Sequence, residues 1–371
     1  MGALCPEGNL LAASRYLVRR DIMPTGRALA PLGRALCEAV AASGAKLVVP
    51  GCEQSVMIIQ ALANRKSGRI GGVPIPPAIA ASLGDPAFYA ASLLKSQTLA
   101  VARSVGVPVP ESVTVHSAAM AVMAAEQIGY PVYLKESFSW AGRGVTRCND
   151  AAALRAAFAA TRRSFGFARG VVRRVLDHDW WPVQTDIDLQ SGIAGQAAMI
   201  CALAWHGKMV AGVCAEKLAP INSNGPSIAV QVCHDQVMVD SAEKMIAAMG
   251  LHGLVSFDYM LPDDGRPALL IECNPRPVAI LNLGVQVGMD FAGLLADLVH
   301  GGAAPAEPVL ATGSAQTLLF PNALDPAWHC EALARGWHLD MPINEPDIVA
   351  AMRDRPEHER PAAPMADSIA A

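Results

Sequence analysis

The clearest hydrophobic pattern in the chain is a pair of apolar runs between Leu254 and Arg276, which flank the turn-forming segment PDDGRP. A turn rich in Pro, Asp and Gly between two apolar runs is typical of a β-hairpin. If residues 263–267 form the loop, Pro262 pairs with Ala268 and the register of the whole hairpin follows. We therefore expect two antiparallel strands in this stretch.

Two acidic side chains share one face of this predicted hairpin. The same register places Asp258 opposite Glu272, and strand alternation puts Asn274 on their side. Like charges that face each other destabilise a sheet, so the pair indicates a bound cation. An all-oxygen set of Asp, Glu and Asn suits Mg²⁺. A polar stripe that simply faces solvent is the alternative interpretation.

Hydrophobic periodicity elsewhere predicts a mixture of helices and strands. Helical patterns cover residues 25–43, 55–65, 87–105, 116–128, 149–164, 240–249 and 290–300. Strand patterns cover 46–50, 131–137, 180–187 and 315–320, and a further hairpin over 198–218 turns at His206 and Gly207. The helix-strand-helix order near the N-terminus predicts a small α/β domain with a parallel sheet.

Glu53 follows the predicted strand at residues 46–50. Because α/β sheets bind ligands at the carboxyl ends of their strands, such a residue can contact a ligand. A glutamate in a surface loop is the expected interpretation here.

Length and composition describe a soluble enzyme-like protein of more than one domain. The chain of 371 residues is too long for one ordinary core, so two or three domains are expected. Hydrophobic residues make up 52% and charged residues 17%, which argues against a disordered chain. The net charge of -4 gives no general attraction to nucleic acid or to an anionic membrane.

The nine cysteines include no CxxC pair. This argues for free thiols in a reducing compartment and against a disulfide framework or a zinc site. The N-terminal segment lacks a basic region followed by an apolar core, and no apolar run approaches the ~18 residues of a membrane span. We therefore expect a cytoplasmic protein.

A glycine loop follows the predicted strand at residues 131–137. The strand carries Lys135, and the loop FSWAGRGV places Gly142 and Gly144 around Arg143. It is not a P-loop, which needs GxxxxGK[ST] at the start of a helix. A flexible glycine loop between two strands can still fold over phosphates through its backbone N–H groups.

Together these features resemble the ATP-grasp superfamily of carboxylate-amine ligase-like enzymes, over roughly residues 90 to 300. The resemblance rests on Lys95 ahead of GVPVP, on PVYLKESFSWAGRGV, on the hairpin AMICALAWHGKMVAG, and on FDYM followed by LLIECNPR. It implies an α/β (α+β) fold of the ATP-grasp type, with a small N-terminal Rossmann-like domain over residues 1–86. The ATP-grasp domain would cover 87–302, with ATP between two subdomains. A C-terminal extension over 303–371 would be disordered after about residue 354.

The resemblance also implies roles for individual residues. The metal ligands for Mg²⁺, or Mn²⁺, would be Asp258, Glu272 and Asn274, and Arg276 would stabilise the charge of the transferred phosphoryl group and of an acyl phosphate. ATP would be bound by Lys95, Lys135, Ser139, Gly142, Gly144, Gln184, Thr185, Ile187 and Lys217. Within this set the lysines and the glycine loop would contact phosphates, and the strand at 183–187 would meet adenine.

The implied reaction is ATP-dependent activation of a carboxylate as an acyl phosphate, followed by attack of an amine. Its substrates would be a small-molecule carboxylate and a small-molecule amine. Neither nucleic acid nor a membrane is an expected partner. Assembly as a homodimer is left as an open alternative. One alternative is an ATP-binding module without ligase activity, and another is a biotin-carboxylase-like enzyme that uses bicarbonate. The chain departs from the family pattern where Gln184, Thr185 and Asp186 replace the usual Glu, and in the absence of the usual opening strand and glycine turn. The substrate side is therefore the least defined.

Overall fold

The computed structural model of the chain describes residues 1–138, 144–164, 186–220 and 227–355. Within these residues, helices α1 to α10 span Leu29–Ser43, Glu53–Ala63, Pro77–Ala81, Lys95–Ser104, Ala118–Ile128, Ala151–Ser164, Gln236–Ala248, Phe291–Val299, Pro326–Ala334 and Pro346–Arg353. Strands β1 to β16 span Gly2–Cys5, Arg19–Ile22, Arg69–Ile70, Val73–Pro74, Ser112–Val115, Val132–Glu136, Val145–Cys148, Ile187–Ser191, Gly195–Trp205, Lys208–Pro220, Ser227–Cys233, Gly253–Pro262, Leu269–Asn274, Val309–Leu310, Gln316–Leu318 and His338–Leu339.

Two sheets form the centre of the fold. The larger sheet has eight strands in the order β13-β12-β9-β10-β11-β15-β16, with β14 added alongside β10. The smaller sheet is antiparallel, with four strands in the order β5-β8-β6-β7. This mixed architecture is the α/β (α+β) class that the sequence predicts.

The large sheet is covered on both faces. Alternate residues of β9 point to opposite sides, so Ile200 packs in a cluster with residues of α7, while Leu203 packs in a second cluster with Phe291 of α8. The helices α5 and α6 cover one face of the small sheet. Its other face carries the polar side chains of Lys135, Asp188 and Gln190.

The hairpin of β9 and β10 confirms the turn predicted at His206 and Gly207. Both residues have positive φ values, 50° and 77°. A two-residue turn of this kind matches the right-handed twist of the strands that it joins.

The hairpin of β12 and β13 confirms one half of the predicted register and corrects the other. Asp258 pairs with Glu272 as expected. The register then shifts by one residue, so Tyr259 pairs with Leu270. A β-bulge of this kind inserts an extra residue into one strand. The predicted pairing of Pro262 with Ala268 is therefore wrong, and Pro262 pairs instead with Gly195 of β9.

The N-terminal segment, residues 1–86, differs most from the prediction. Residues 46–50 form no strand, and the backbone N–H of Val48 donates to Ser82 Oγ at 2.9 Å. The parallel pair in this segment is formed instead by β1 and β2, which the sequence pattern did not predict. Helices α1 to α3 pack around a separate cluster that includes Leu32 and Ile59.

The helix predicted over residues 87–105 begins only at Lys95. Leu94 is extended, and the backbone N–H of Lys95 donates to the carbonyl oxygen of Ser137 at 2.9 Å. This contact with the segment after β6 fixes the start of α4. It places the first residue of the helix next to the end of a strand of the small sheet.

Two further findings concern the ends of the chain and membrane insertion. Residues 356–371, which contain most of the predicted disordered tail, lie outside the described residues. Across the described part of the chain, no helix combines the length and the apolar character needed to cross a bilayer.

A close backbone approach at Gly84 joins the N-terminal segment to the turn before β12. Gly84 has a φ of 94°, and a Cβ there would lie 2.2 Å from the carbonyl oxygen of Gly250.

We expect Gly84→Ala to lower the free energy of unfolding by about 3 kcal/mol, measured by denaturant titration. The control is Gly8→Ala, because Gly8 has a similar φ of 73° and open space around it. Its expected cost is about 1 kcal/mol. Equal losses in the two variants would contradict the close-approach argument.

Candidate functional site

The centre of the site is the carboxylate pair on β12 and β13. Asp258 and Glu272 face each other across the hairpin. Lys95 Nζ lies 3.1 Å from Glu272 Oε2, and the amide of Asn274 donates to Asp258 Oδ2 at 3.3 Å. The structure thus brings together the three residues predicted as metal ligands and one predicted ATP-binding lysine.

Asp258 and Glu272 are two acids held close together and partly buried, with 27% of the Glu272 side chain exposed. Burial raises the pKa of Asp258 to about 7, against the lowering effect of Lys217 and with a further increase from Glu272. Burial also raises the pKa of Glu272, but Lys95 and the hydrogen bond from Asp258 outweigh it and lower that pKa to about 2. At neutral pH the pair thus competes for a proton. A cation in place of that proton would remove the repulsion.

The donor set fits a hard divalent cation. It offers two carboxylates and one amide oxygen, which are ligands that Mg²⁺ prefers. Among the described residues there is no group of three or more His, Cys, Asp or Glu that could hold a metal. A metal here would therefore need further oxygen ligands from phosphates and water, as Mg²⁺ in nucleotide sites commonly has.

Lys95 and Ser96 connect α4 to the end of β6. The backbone N–H of Ser96 donates to Ser137 Oγ at 3.1 Å, and the two serine hydroxyl oxygens are 2.7 Å apart. Lys95 is buried, with 8% of its surface exposed. The small sheet and the carboxylate pair are thereby joined through one helix N-terminus.

The polar face of the small sheet carries Lys135. Its Nζ donates to Gln190 Oε1. Burial lowers the pKa of Lys135 to about 8, against the opposing effect of Glu272, while Lys95 lowers it further and Asp188 raises it. The cation predicted to contact phosphates therefore lies within electrostatic reach of the carboxylate pair.

Asp188 is a buried acid that the sequence interpretation missed. Its Oδ1 accepts a hydrogen bond from Thr114 Oγ1 at 2.7 Å, whereas its Oδ2 is buried without a hydrogen-bond partner among the described residues. It pairs with Lys135 in the ladder between β6 and β8, and burial raises its pKa. The signal was present in the alternation of polar Asp186, Asp188 and Gln190 along this strand.

Lys217 and Gly144 lie at positions compatible with their predicted roles. Lys217 of β10 is near enough to lower the pKa of Asp258. Gly144 has a φ of 67°, and its carbonyl accepts the backbone N–H of Glu136 at 2.8 Å. A Cβ at Gly144 would lie 3.0 Å from the Glu136 side chain, so a larger residue would be crowded there.

Only part of the strand predicted to contact adenine lies within the described residues. The side chain of Ile187 packs in the core under the small sheet with Leu134 and Leu189, so only its backbone is available to a ligand. Four predicted ATP-binding residues lie outside the described residues: Ser139, Gly142, Gln184 and Thr185.

Arg276 is held in place by several acceptors. Its Nε donates to Glu53 Oε1 at 3.0 Å, and Nη2 donates to the same oxygen and to Asn274 Oδ1 at 3.4 Å. Its Nη1 donates to the carbonyl of Pro277 at 3.3 Å. The guanidinium therefore has a fixed orientation beside the carboxylate pair.

Glu53 is the second residue that the sequence interpretation misjudged. It is the first residue of α2, and only 21% of its side chain is exposed. The expectation of a surface-loop glutamate is wrong, because the predicted strand before it does not form and the chain enters a helix at this point. Its contact with Arg276 spans 223 positions in the sequence, which no local pattern can indicate.

Several of these residues line one pocket between α2, α4 and the end of β13. The pocket combines cations and acids with apolar walls. Its lining is Glu53, Val56, Leu93, Lys95, Thr98, Phe138, Glu272, Cys273, Asn274, Pro275 and Arg276.

The lowered pKa of Lys135 predicts a pH dependence of nucleotide binding. Phosphates bind the ammonium form, so affinity for ATP should fall as pH rises above about 8, by up to about tenfold per pH unit. Titration of ATP with Mg²⁺ between about pH 7 and about pH 9.5 measures this. Lys135→Gln should lose the dependence, whereas Lys208→Gln, which alters an exposed lysine, should keep it. An affinity of the unmodified protein that stays constant over this range would contradict the role of Lys135.

Comparison with known proteins gives a family match and related sequences. Residues 95–280 match the family model described as the carbamoyl-phosphate synthase L chain, ATP binding domain. The carbamoyl phosphate synthase large chain of Pyrococcus furiosus is 27% identical over 187 residues, which cover 47% of this chain. The chain spans only 16% of the length of that relative.

Solved structures share the fold at low sequence identity. Biotin carboxylase from Campylobacter jejuni has a TM-score of 0.63 and 16% identity, over 85% of this chain and 69% of that one. The biotin carboxylase domain of 2-oxoglutarate carboxylase from Hydrogenobacter thermophilus, in complex with MgADP and bicarbonate, has a TM-score of 0.62 and 14% identity, over 85% and 67%. Carboxyaminoimidazole ribonucleotide synthase from Aspergillus clavatus, complexed with ATP, has a TM-score of 0.59 and 15% identity, over 85% and 74%.

Proposed function

The chain belongs to the family of carbamoyl-phosphate synthase L chain ATP-binding domains, within the ATP-grasp superfamily, and from this premise we propose that it is an ATP-dependent ligase. In this reaction the γ-phosphoryl group of ATP passes to a carboxylate and gives an acyl phosphate and ADP. An amine then attacks the acyl carbon, which forms a C–N bond and releases phosphate.

The observation that carries this proposal is the position of Arg276. Its guanidinium is fixed beside Asp258, Glu272 and Asn274, in the lining of a pocket to which Glu53 and Val56 of α2 also contribute. Phosphoryl transfer depends on positioning and on neutralising charge, so a preoriented cation at this point suits the transferred group. ATP binding alone needs no arginine beyond the phosphate-binding lysines.

The remaining residues fit the handling of the nucleotide. Lys95, Lys135 and Lys217 would bind the phosphates of ATP, and their positive charges would draw the polyanion between the two sheets. Asp258, Glu272 and Asn274 would hold Mg²⁺ or Mn²⁺. A bound Mg²⁺ supplies charge neutralisation on the phosphate oxygens. The MgADP in the Hydrogenobacter thermophilus structure supports Mg²⁺ as the cation that accompanies the nucleotide.

Bicarbonate is a second candidate for the acid. One structural relative was crystallised with bicarbonate, and Arg276 in the lining of the pocket would offer a positive charge to such an anion. The nucleotide site is the same whether the acid is bicarbonate or another carboxylate. The two hypotheses differ only in which acid receives the phosphoryl group.

The test is ADP release by the purified protein with Mg²⁺, across a panel of carboxylates that includes bicarbonate and a panel of amines. We expect release that depends on one acid, and mass spectrometry then identifies the amide product. Release at background with every acid and amine would contradict the ligase function and would favour an ATP-binding module instead. A cytoplasmic location and a homodimer stay predictions from the sequence.

A further inference from the structure

Glu53 uses only one of its two carboxylate oxygens on Arg276. Both hydrogen bonds from the guanidinium end on Oε1. Among the described residues, Oε2 has no hydrogen-bond partner. The side chain is one of those that line the pocket, and 21% of it is exposed. One oxygen of a half-buried carboxylate is thus available to whatever enters the pocket.

If only the acid substrate entered the pocket, the negative charge of Glu53 would be unfavourable. The pocket must accept a carboxylate that becomes an acyl phosphate, and a carboxylate beside it repels such an anion. Arg276 contacts Glu53 through Oε1, and Asn274 and Pro277 accept further hydrogen bonds from the guanidinium. A negative oxygen that faces the same pocket suits a cationic second substrate.

The position of Glu53 also fits a second substrate. It comes from α2, whereas Lys95 comes from α4 and Glu272 from β13, and Arg276, which follows β13, contacts Glu53 directly. A molecule in the pocket can therefore contact Glu53 and the phosphoryl-transfer groups at the same time. The walls next to Glu53 include the apolar residues Val56 and Leu93, which would shield its charge from water.

We propose that this pocket is the amine-binding site of the reaction and that Glu53 binds the amine as its ammonium ion and takes its proton. This inference rests on the proposed ligase function. The ammonium ion transfers one proton to Glu53 Oε2 and becomes the neutral nucleophile. The nitrogen lone pair forms the C–N bond at the acyl carbon, the carbon–oxygen bond to the phosphate breaks, and its electron pair leaves with the phosphate. The phosphate takes the second proton from nitrogen.

A purely positioning role of Glu53 predicts a different result. If Glu53 served only to orient Arg276, its loss would slow formation of the acyl phosphate and every later step by the same factor. An amine-binding role affects mainly the step that consumes the amine. The comparison of the two steps therefore separates the two roles.

The experiment uses bicarbonate as the acid probe and ammonium chloride as the amine probe. ADP release is measured with bicarbonate alone and with added ammonium chloride. For Glu53→Gln, we expect the ammonium-dependent increase to fall about 100-fold, and the release with bicarbonate alone to fall far less. Glu53→Asp, which keeps the charge, should retain more of the ammonium response. The matched control is Glu38→Gln, because Glu38 is an exposed glutamate of α1 in the same N-terminal segment, paired with Arg34.

Equal losses in the two rates for Glu53→Gln would overturn the proposal and assign Glu53 to the orientation of Arg276. A second measurement does not depend on turnover. Crystals soaked in thallium(I) acetate, in which Tl⁺ stands in for ammonium, should show anomalous density at Glu53 in the unmodified protein and none in Glu53→Gln. Absence of this density in the unmodified protein would contradict the amine site. Tl⁺ bound at Glu53 without any acid-dependent ADP release would support the site and would contradict the proposed ligase function.

Discussion

Glu272→Gln should reduce acid-dependent ADP release on the order of 10³-fold. The substitution keeps the shape of the side chain and removes one of the two negative charges that would hold Mg²⁺. It also removes the charge that Lys95 contacts at 3.1 Å, so a lysine that would bind phosphate loses its fixed position. The measurement is the rate of ADP release at saturating ATP, repeated over a range of Mg²⁺ concentrations.

Two controls separate this effect from a loss of folding. Asp264→Asn changes an exposed acid in the turn of the same hairpin, where Asp264 pairs with Arg266 at the surface, and it should leave the rate unchanged. The melting temperature of Glu272→Gln should show that the protein is folded at the assay temperature. Near-normal activity of a folded Glu272→Gln protein would refute the metal assignment.

The carboxylate pair was predictable because two local rules point to the same place. A turn signal of Pro, Asp and Gly sets the approximate register, and strand alternation then puts Asp258 and Glu272 on one face. The β-bulge between the pair and the turn was not predictable, because it depends on the pairing of β12 with β9 as well as with β13. The register at the site was correct even though the register at the turn was not.

The contribution of the N-terminal segment to the pocket could not be predicted from local patterns. Residues 46–50 have the apolar character of a strand, yet no neighbouring strand pairs with them, and tertiary context decides such cases. Glu53 reaches the site through a contact with Arg276 that connects distant parts of the chain. Asp188 was in principle detectable from alternation, but its burial beside Lys135 follows from the order of strands in the small sheet.

The family match covers residues 95–280, whereas some residues that line the pocket lie outside this segment. Glu53, Val56 and Leu93 lie before the matched segment. The nucleotide-binding part is therefore defined by similarity, whereas the substrate-binding part has to be inferred from the contacts of this chain. The acid and the amine are therefore unidentified, whereas the family model itself describes an ATP-binding domain.

Arg276→Lys should lower the rate of acid-dependent ADP release about 100-fold to 1000-fold while the affinity for ATP changes only a few-fold. Arginine presents five N–H donors in a rigid plane, and this one uses them on Glu53, Asn274 and Pro277. Lysine keeps the positive charge but cannot hold that orientation, so the charge would no longer be fixed where the phosphoryl group passes to the acid. Arg266→Lys, in the exposed turn of the same hairpin, is the matched control and should behave like the unmodified protein.

The outcome of Arg276→Lys also distinguishes the ligase from an ATP-binding module. ATP affinity is measured by equilibrium titration and turnover by ADP release, so the two effects are independent. If Arg276 acts on the acyl phosphate, the substitution lowers turnover and spares ATP binding, because the arginine contacts a group that exists only after transfer begins. Equal losses of ATP affinity and turnover would instead place Arg276 among the nucleotide-binding residues. In that case the position of Arg276, on which the ligase proposal rests, would be explained by ATP binding alone.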